Sequence, residues 1–199
     1  MNLLKYIYKN TDIPFEVADN WGDVPFSTYV AYNKLIEAGE ADNQAKIYGL
    51  FIDAVPAEYW DRPHNPKLYH SINNQLNFIS EEPSKEVPTH VVHDDYKVIT
   101  PKSIEEVSAN AYWGTLKAVD KVLKGKGTNC TTLEVMPEMI AILMFKETKE
   151  KTINELSKEI NELPTDKVYA LGCFFLQKLQ DLKSGTTRIC RLKNLMKRI

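Results

Sequence analysis

Apolar residues along this chain recur at helical spacing more often than at strand spacing. The most apolar stretch is Val135–Leu182. Pro137 introduces seven consecutive apolar residues, Met139 to Phe145. A charged amphipathic segment follows at Ile153–Leu163. Leu163-Pro164 then leads a run in which Val168, Leu171, Phe175, Leu179 and Leu182 fall three or four apart, the stripe of an amphipathic helix. The pattern predicts three consecutive helices, the first and third buried.

Upstream, Leu3–Tyr8 and Pro14–Val17 flank a turn at Lys9–Asp12 and predict a hairpin. Trp21–Pro25 reads as a loop, with Pro25 suited to the first turn of a helix. Phe26, Tyr29, Val30 (or Tyr32), Asn33 and Ile36 keep helical spacing up to Gly39. Asp42 is the expected cap of a second, mostly apolar helix over Ala45–Ile52, stopped by Pro56. Trp60–Pro66 reads as a proline-fixed loop. A third helix sets Leu68, Tyr69, Ile72, Leu76 and Ile79 on one face. Glu81–Pro88 has the composition of a linker. Thr89–Val92 and Tyr96–Ile99 bracket His93-Asp94-Asp95 as a second hairpin. Ser103 and Glu106 fit a capping box for a helix carrying Ile104, Val107, Ala111, Leu116, Val119 and Val122, and Lys124–Asn129 is a turn.

The fold class expected is mainly α with short β-hairpins (α+β), built on a helical core. The two halves share an order of elements: hairpin, helix, loop, strongly apolar helix, further helix. Phe15-Glu16-Val17 would match Tyr96-Lys97-Val98, and Ala45–Ile52 would match Met139–Phe145, without residue identity. The domains expected are 1–82, an N-terminal helical subdomain with a leading hairpin; 89–182, a C-terminal helical subdomain with a hairpin; and 183–199, a basic amphipathic helix.

Composition changes this picture little, and charge distribution changes it more. At 199 residues, 43% hydrophobic and 26% charged, the chain is long enough for a real core and has an ordinary globular balance. Its net charge of −2 speaks against a general polyanion binder. The C-terminal seventeen residues, however, hold six cations and no acid, namely Lys183, Arg188, Arg191, Lys193, Lys197 and Arg198. Three cysteines, Cys130, Cys173 and Cys190, form no CxxC pair and fit free thiols in a reducing compartment, with Cys173 expected in the core. An apolar run of seven residues is far below the roughly 20 a membrane span needs. The N-terminus lacks a leader pattern, so a soluble intracellular protein is expected.

No catalytic set emerges. His90 and His93 stand beside Asp94 and Asp95, residue types that ligate zinc or manganese. Positions three apart on a strand face opposite ways, however. Gly125-Lys126-Gly127-Thr128 lacks both the leading glycine and the Ser or Thr after Lys that a phosphate loop requires. Asp61, Arg62 and His64 suit acid–base work but sit among prolines that suit a packed corner. No cofactor or metal is expected. The basic tail could meet nucleic-acid phosphates or an acidic partner. Protein docking is favoured, because the cations ride on a helix with an apolar side of Ile189, Leu192, Met196 and Ile199.

The segments Tyr96–Ile99, Ser103–Val122, Glu138–Phe145 and Leu163-Pro164 through Phe174-Phe175 carry a family resemblance. So do Trp21, Val24-Pro25-Phe26 and the helix ending near Val55-Pro56. Together they resemble a group of small structural and assembly proteins of tailed bacteriophages, including phages of Bacteroidetes and crAss-like phages, of tail-assembly-chaperone-like or connector-like type. The chain departs from the group at Ile104–Ala109, where the acidic signature is blurred, and at Phe145-Lys146. The resemblance implies a non-enzymatic morphogenesis protein: a virion component of the portal–tail connector or ring, in the virion or the host cytoplasm. A tail assembly chaperone absent from the virion is the alternative, and a nucleic-acid-binding module a further one. The expected partners are other phage structural or tail proteins and copies of itself, without a membrane. The expected contact residues are the six tail cations with Tyr59 and Trp60. Tyr6, Tyr8, Tyr29, Tyr32, Tyr69 and Trp113 are further aromatics expected at the surface, a residue class enriched at interfaces.

Overall fold

Two hairpins and a series of helices make up a mostly helical chain in two units. The computed structural model describes residues 2–8, 11–52, 55, 57–60, 66–93, 96–100, 111, 113–115, 117, 131–145 and 151–179. One unit comprises Met1–Ser84 together with Asn161–Lys167, and the other Lys85–Ile160 together with Val168–Ile199. The change between them at Ser84–Lys85 falls inside the linker-like Glu81–Pro88. The return of Asn161–Lys167 to the first unit has no counterpart in the expected division.

In the first unit, β1 (Asn2–Tyr8) pairs antiparallel with β2 (Thr11–Val17) in a register from Asn2 opposite Val17 to Tyr8 opposite Thr11. Thr11 and Asp12 therefore belong to the strand rather than to the turn. Alternation holds at the end of β2: Phe15 and Val17 are buried, while Pro14 and Glu16 are exposed, as the two-residue strand period requires. Pro14 is tolerated because this ribbon has only edge strands. A 3-10 turn, Trp21–Asp23, replaces the expected loop. Asn20 caps it, its side chain accepting from the Gly22 N–H at 2.8 Å.

Helix α1 runs Phe26–Glu37 with Phe26, Tyr29 and Tyr32 buried. Ile36, expected on the buried face, is 45% exposed in the last turn. The helix ends in a Schellman motif: Glu40 N–H donates to Leu35 C=O at 2.8 Å and Gly39 N–H to Ile36 C=O at 3.0 Å. Gly39 takes φ +73°, the left-handed conformation this cap needs. Helix α2 (Gln44–Phe51) is capped by Asn43, not Asp42: the Asn43 side chain accepts from the Lys46 N–H. A short helix, α3 (Ala57–Trp60), extends into what reads as the start of a loop. Helix α4 (Pro66–Gln75) opens on a proline and tightens into a 3-10 turn at Leu76–Ser80.

Trp21 organises this unit. It packs edge-on against Tyr29 at 4.8 Å and Phe78 at 5.0 Å, with Phe51 at 6.1 Å and Tyr32 at 6.3 Å. Its indole N–H donates to Glu81 C=O at 2.9 Å, satisfying the one polar atom such a ring buries.

Residues 161–167 complete the start of α1. Pro25 and Pro164 form an isolated antiparallel bridge. Phe26 N–H donates to Leu163 C=O at 3.0 Å, and Thr165 N–H donates back to Val24 C=O at 2.8 Å. The Thr165 hydroxyl adds a 2.7 Å bond to the same carbonyl, and Thr165 is 0% exposed. A helix leaves its first N–H groups without internal partners, and a proline cap offers no side-chain acceptor. The strap supplies that acceptor.

In the second unit, β3 (His90–His93) pairs antiparallel with β4 (Tyr96–Ile99), His90 opposite Ile99. Residues 111, 113–115 and 117 are helical (α5). The remainder of the helix expected at Ser103–Val122, the Lys124–Asn129 turn and the basic tail lie outside the described residues. Helix α6 (Thr132–Met144) starts five residues before Pro137, which sits inside it instead of opening it. The start is set by a Thr131–Glu134 capping box, in which Thr131 N–H donates to Glu134 at 2.6 Å. Its buried residues include Val135, Met136, Met139, Ile140, Ala141 and Leu143.

Helix α7 (Ile153–Asn161) buries Leu156 and Ile160. Its cap repeats the same chemistry: Thr152 N–H and hydroxyl both donate to the Glu155 carboxylate, at 2.7 and 2.8 Å. Residues 165–179 form helix α8, whose stripe of Val168, Leu171, Phe175 and Leu179 is buried. Gly172 lets α8 approach α6 closely: a Cβ there would stand 2.6 Å from Met136 Cγ. Cys173, expected in the core, is only half-buried.

Candidate functional site

Of the contact residues expected from sequence, the structure describes Tyr59 and Trp60. Trp60 is 4% exposed. Its ring packs edge-on against Tyr48 at 5.0 Å, Tyr59 at 5.2 Å and Phe15 at 6.4 Å. It therefore holds α2, α3 and β2 together and offers little surface for docking, and Tyr59 beside it is half-buried. The reason is local: α3 turns this aromatic pair inward where a loop was expected to present it. Tyr29 and Tyr32, expected to be exposed, are buried around Trp21. Tyr69 is half-buried against Tyr48, 5.7 Å between centroids. Trp113 is 61% exposed, and the side chains of Tyr6 and Tyr8 lie outside the described residues. The six cations Lys183, Arg188, Arg191, Lys193, Lys197 and Arg198 lie outside the described residues, as do Asp61, Arg62 and His64.

His90 Nδ1 lies 3.1 Å from the Thr89 hydroxyl. Among the described residues, no three His, Cys, Asp or Glu side chains cluster closely enough to hold a metal ion. Also among them, no helix is long and apolar enough to cross a membrane.

The described residues of the first unit enclose hollows, two of which bear on recognition. One, of about 300 Å³, is walled by Tyr48, Asn73, Asn77 and Asp42, with Leu76 and Ile79 below. Tyr48 O–H donates to Asn73 Oδ1 there at 2.7 Å, and burial pushes the Tyr48 phenol above its ordinary value. This hydroxyl is already used inside the fold.

The other is a groove of about 500 Å³ between α1 and α2. Its floor is Ala31, Leu35, Ala45, Gly49 and Leu50, and its charged lining residues are Lys34 and Lys46. Lys46 pairs with Glu40 at 2.6 Å, both side chains well exposed. In sequence the groove is two i, i+4 pairs of small or aliphatic residues, Ala31/Leu35 and Ala45/Gly49, on faces turned from the aromatic core. Reading the apolar positions as core alone hides such a second face. Its lining combines apolar area with two lysines, of which Lys46 is held by Glu40. Comparison with protein-family models, with curated proteins and with solved structures found no match to this chain.

Proposed function

We propose that the chain is a non-catalytic morphogenesis protein of a tailed phage, a virion component of the portal–tail region that works through protein–protein contacts. The observation that carries the reading concerns the segments of the resemblance. Val24-Pro25-Phe26 and Leu163-Pro164 stand about 140 residues apart in sequence, with Val24 and Thr165 separated by 141, yet they pair directly. Two pieces of a motif that form one structural element make a coherent signature. An aromatic side chain left as open as Trp113 supports a contact role, since Trp is a preferred interface anchor.

The test is mass spectrometry of purified particles of the phage that encodes the chain. The expected result is the protein in the particle in fixed copy number with portal or tail proteins. Absence from particles, with tails failing to assemble when the gene is removed, assigns the assembly-chaperone role instead. Absence from particles together with normal assembly overturns the proposal.

A further inference from the structure

The hollow of about 300 Å³ in the first unit joins buried apolar residues, Ile47 and Leu76, to a set of polar side chains. One of those polar groups is held in place. The buried Tyr48 O–H donates to Asn73 Oδ1 at 2.7 Å. An amide whose oxygen is taken by a fixed hydroxyl presents its nitrogen elsewhere, so Asn73 Nδ2 is a donor of set orientation. Asp42 and Asn77 line the same hollow and are exposed. Among the described residues, neither the Asp42 carboxylate nor the Asn77 side-chain amide takes a hydrogen bond or an ion pair. Asp42 is also the one charged residue among the described residues of the lining.

We infer that this hollow binds a sugar ring. The polar set selects among ligand classes. A phosphate or carboxylate would meet the Asp42 charge with no cation in the described lining to offset it. An ammonium group would suit Asp42 but would set a donor against Asn73 Nδ2, itself a donor. A wholly apolar ligand would strip water from Asp42 and the two amides and replace none of it. A hydroxyl both donates and accepts. Neighbouring hydroxyls of one ring can therefore donate to Asp42 and accept from Asn73 and Asn77, while the ring's C–H face lies on Leu76 and Ile79. Ligand sites combine apolar surface with a few placed polar groups, and this volume is at the low end of their usual range of about 300–1,000 Å³, which suits one ring rather than a long chain. Sugar binding here is independent of the contact role proposed above.

The probes are glucose, galactose, mannose and N-acetylglucosamine, each also as its methyl glycoside, titrated into the isotope-labelled full chain. NMR follows the side-chain NH₂ signals of Asn73 and Asn77. At least one sugar is expected to give saturable shifts with a Kd of about 1 mM, so titration runs to about 50 mM. Shifts from the methyl glycoside as well assign the site to the terminal sugar of a glycan, and shifts from the free sugar alone assign it to a free sugar. Asp42→Asn and Asn77→Ala change exposed side chains without partners among the described residues. Both variants should melt like the parent while affinity falls roughly tenfold in each. Absence of saturable shifts with every sugar, or unchanged affinity in either variant, overturns the inference.

Discussion

Replacing Gly172 with alanine sets two effects of known size against each other. Alanine is better than glycine inside a helix by about 1 kcal/mol. Against this, the new Cβ would stand 2.6 Å from Met136 Cγ and 3.1 Å from Met136 Cβ. The Cγ can swing away, but the Cβ is fixed to the backbone of α6, so the helices must part. Met136 is 3% exposed, which leaves its side chain little room, and overpacking of this kind costs about 1–3 kcal/mol. The net expectation is a loss of about 1–2 kcal/mol. Urea unfolding followed by far-UV circular dichroism measures it as a lower midpoint at unchanged slope. Met136→Ala removes the Cγ contact but keeps the Cβ, so in that background Gly172→Ala should lose only part of its cost, a coupling of about 0.5–1 kcal/mol. Gly49→Ala is the opposite control, because its Cβ meets nothing within 4 Å and should gain about 1 kcal/mol. A Gly172→Ala midpoint equal to or above that of the parent would refute the close approach of α6 and α8.

Gly39→Ala puts a Cβ on a residue at φ +73° and should cost about 1 kcal/mol, read by thermal melting. Thr165→Val keeps the buried shape but removes the hydroxyl bond to Val24 C=O. It should cost about 1 kcal/mol and speed amide exchange at Phe26. The Glu155 carboxyl is held below its ordinary value of 4.5, chiefly by the Thr152 backbone N–H and then by its hydroxyl. A carboxyl lowered on folding stabilises above its unfolded value, and the effect is lost as pH falls through the folded one. Melting curves from about pH 7 to about pH 3 should therefore show the parent converging on Glu155→Gln at the acid end, and parallel curves would contradict the cap.

Period-3.6 stripes made much of the fold legible. Val168, Leu171, Phe175 and Leu179 are buried as their spacing requires, and β4 keeps the bounds expected for it. The misplaced boundaries trace to caps. Asn43 outcompetes Asp42 at α2. The Thr131–Glu134 box starts α6 ahead of Pro137, and burial of Val135, Met136, Met139 and Ile140 offsets the cost of a proline within the helix. Trp60 reads both ways in the sequence, since aromatic residues between prolines suit a surface loop and a packed corner alike, and only the contacts with Phe15 and Tyr48 decide. The groove was hidden for a different reason: Ala31, Ala45 and Gly49 are too small to register in a hydrophobic pattern, and what matters there is the space they leave.

The strap of residues 161–167 has a consequence in time. A ribosome delivers a chain from its N-terminus at about 5–20 residues per second. Ser84 therefore emerges roughly 4 to 17 s before Lys167, with the whole of Lys85–Ile160 in between. Through that interval Val24 C=O and Phe26 N–H lack the partners that finish α1. The unit that is synthesised first is among the last to be completed, and its closure waits on the synthesis of its neighbour.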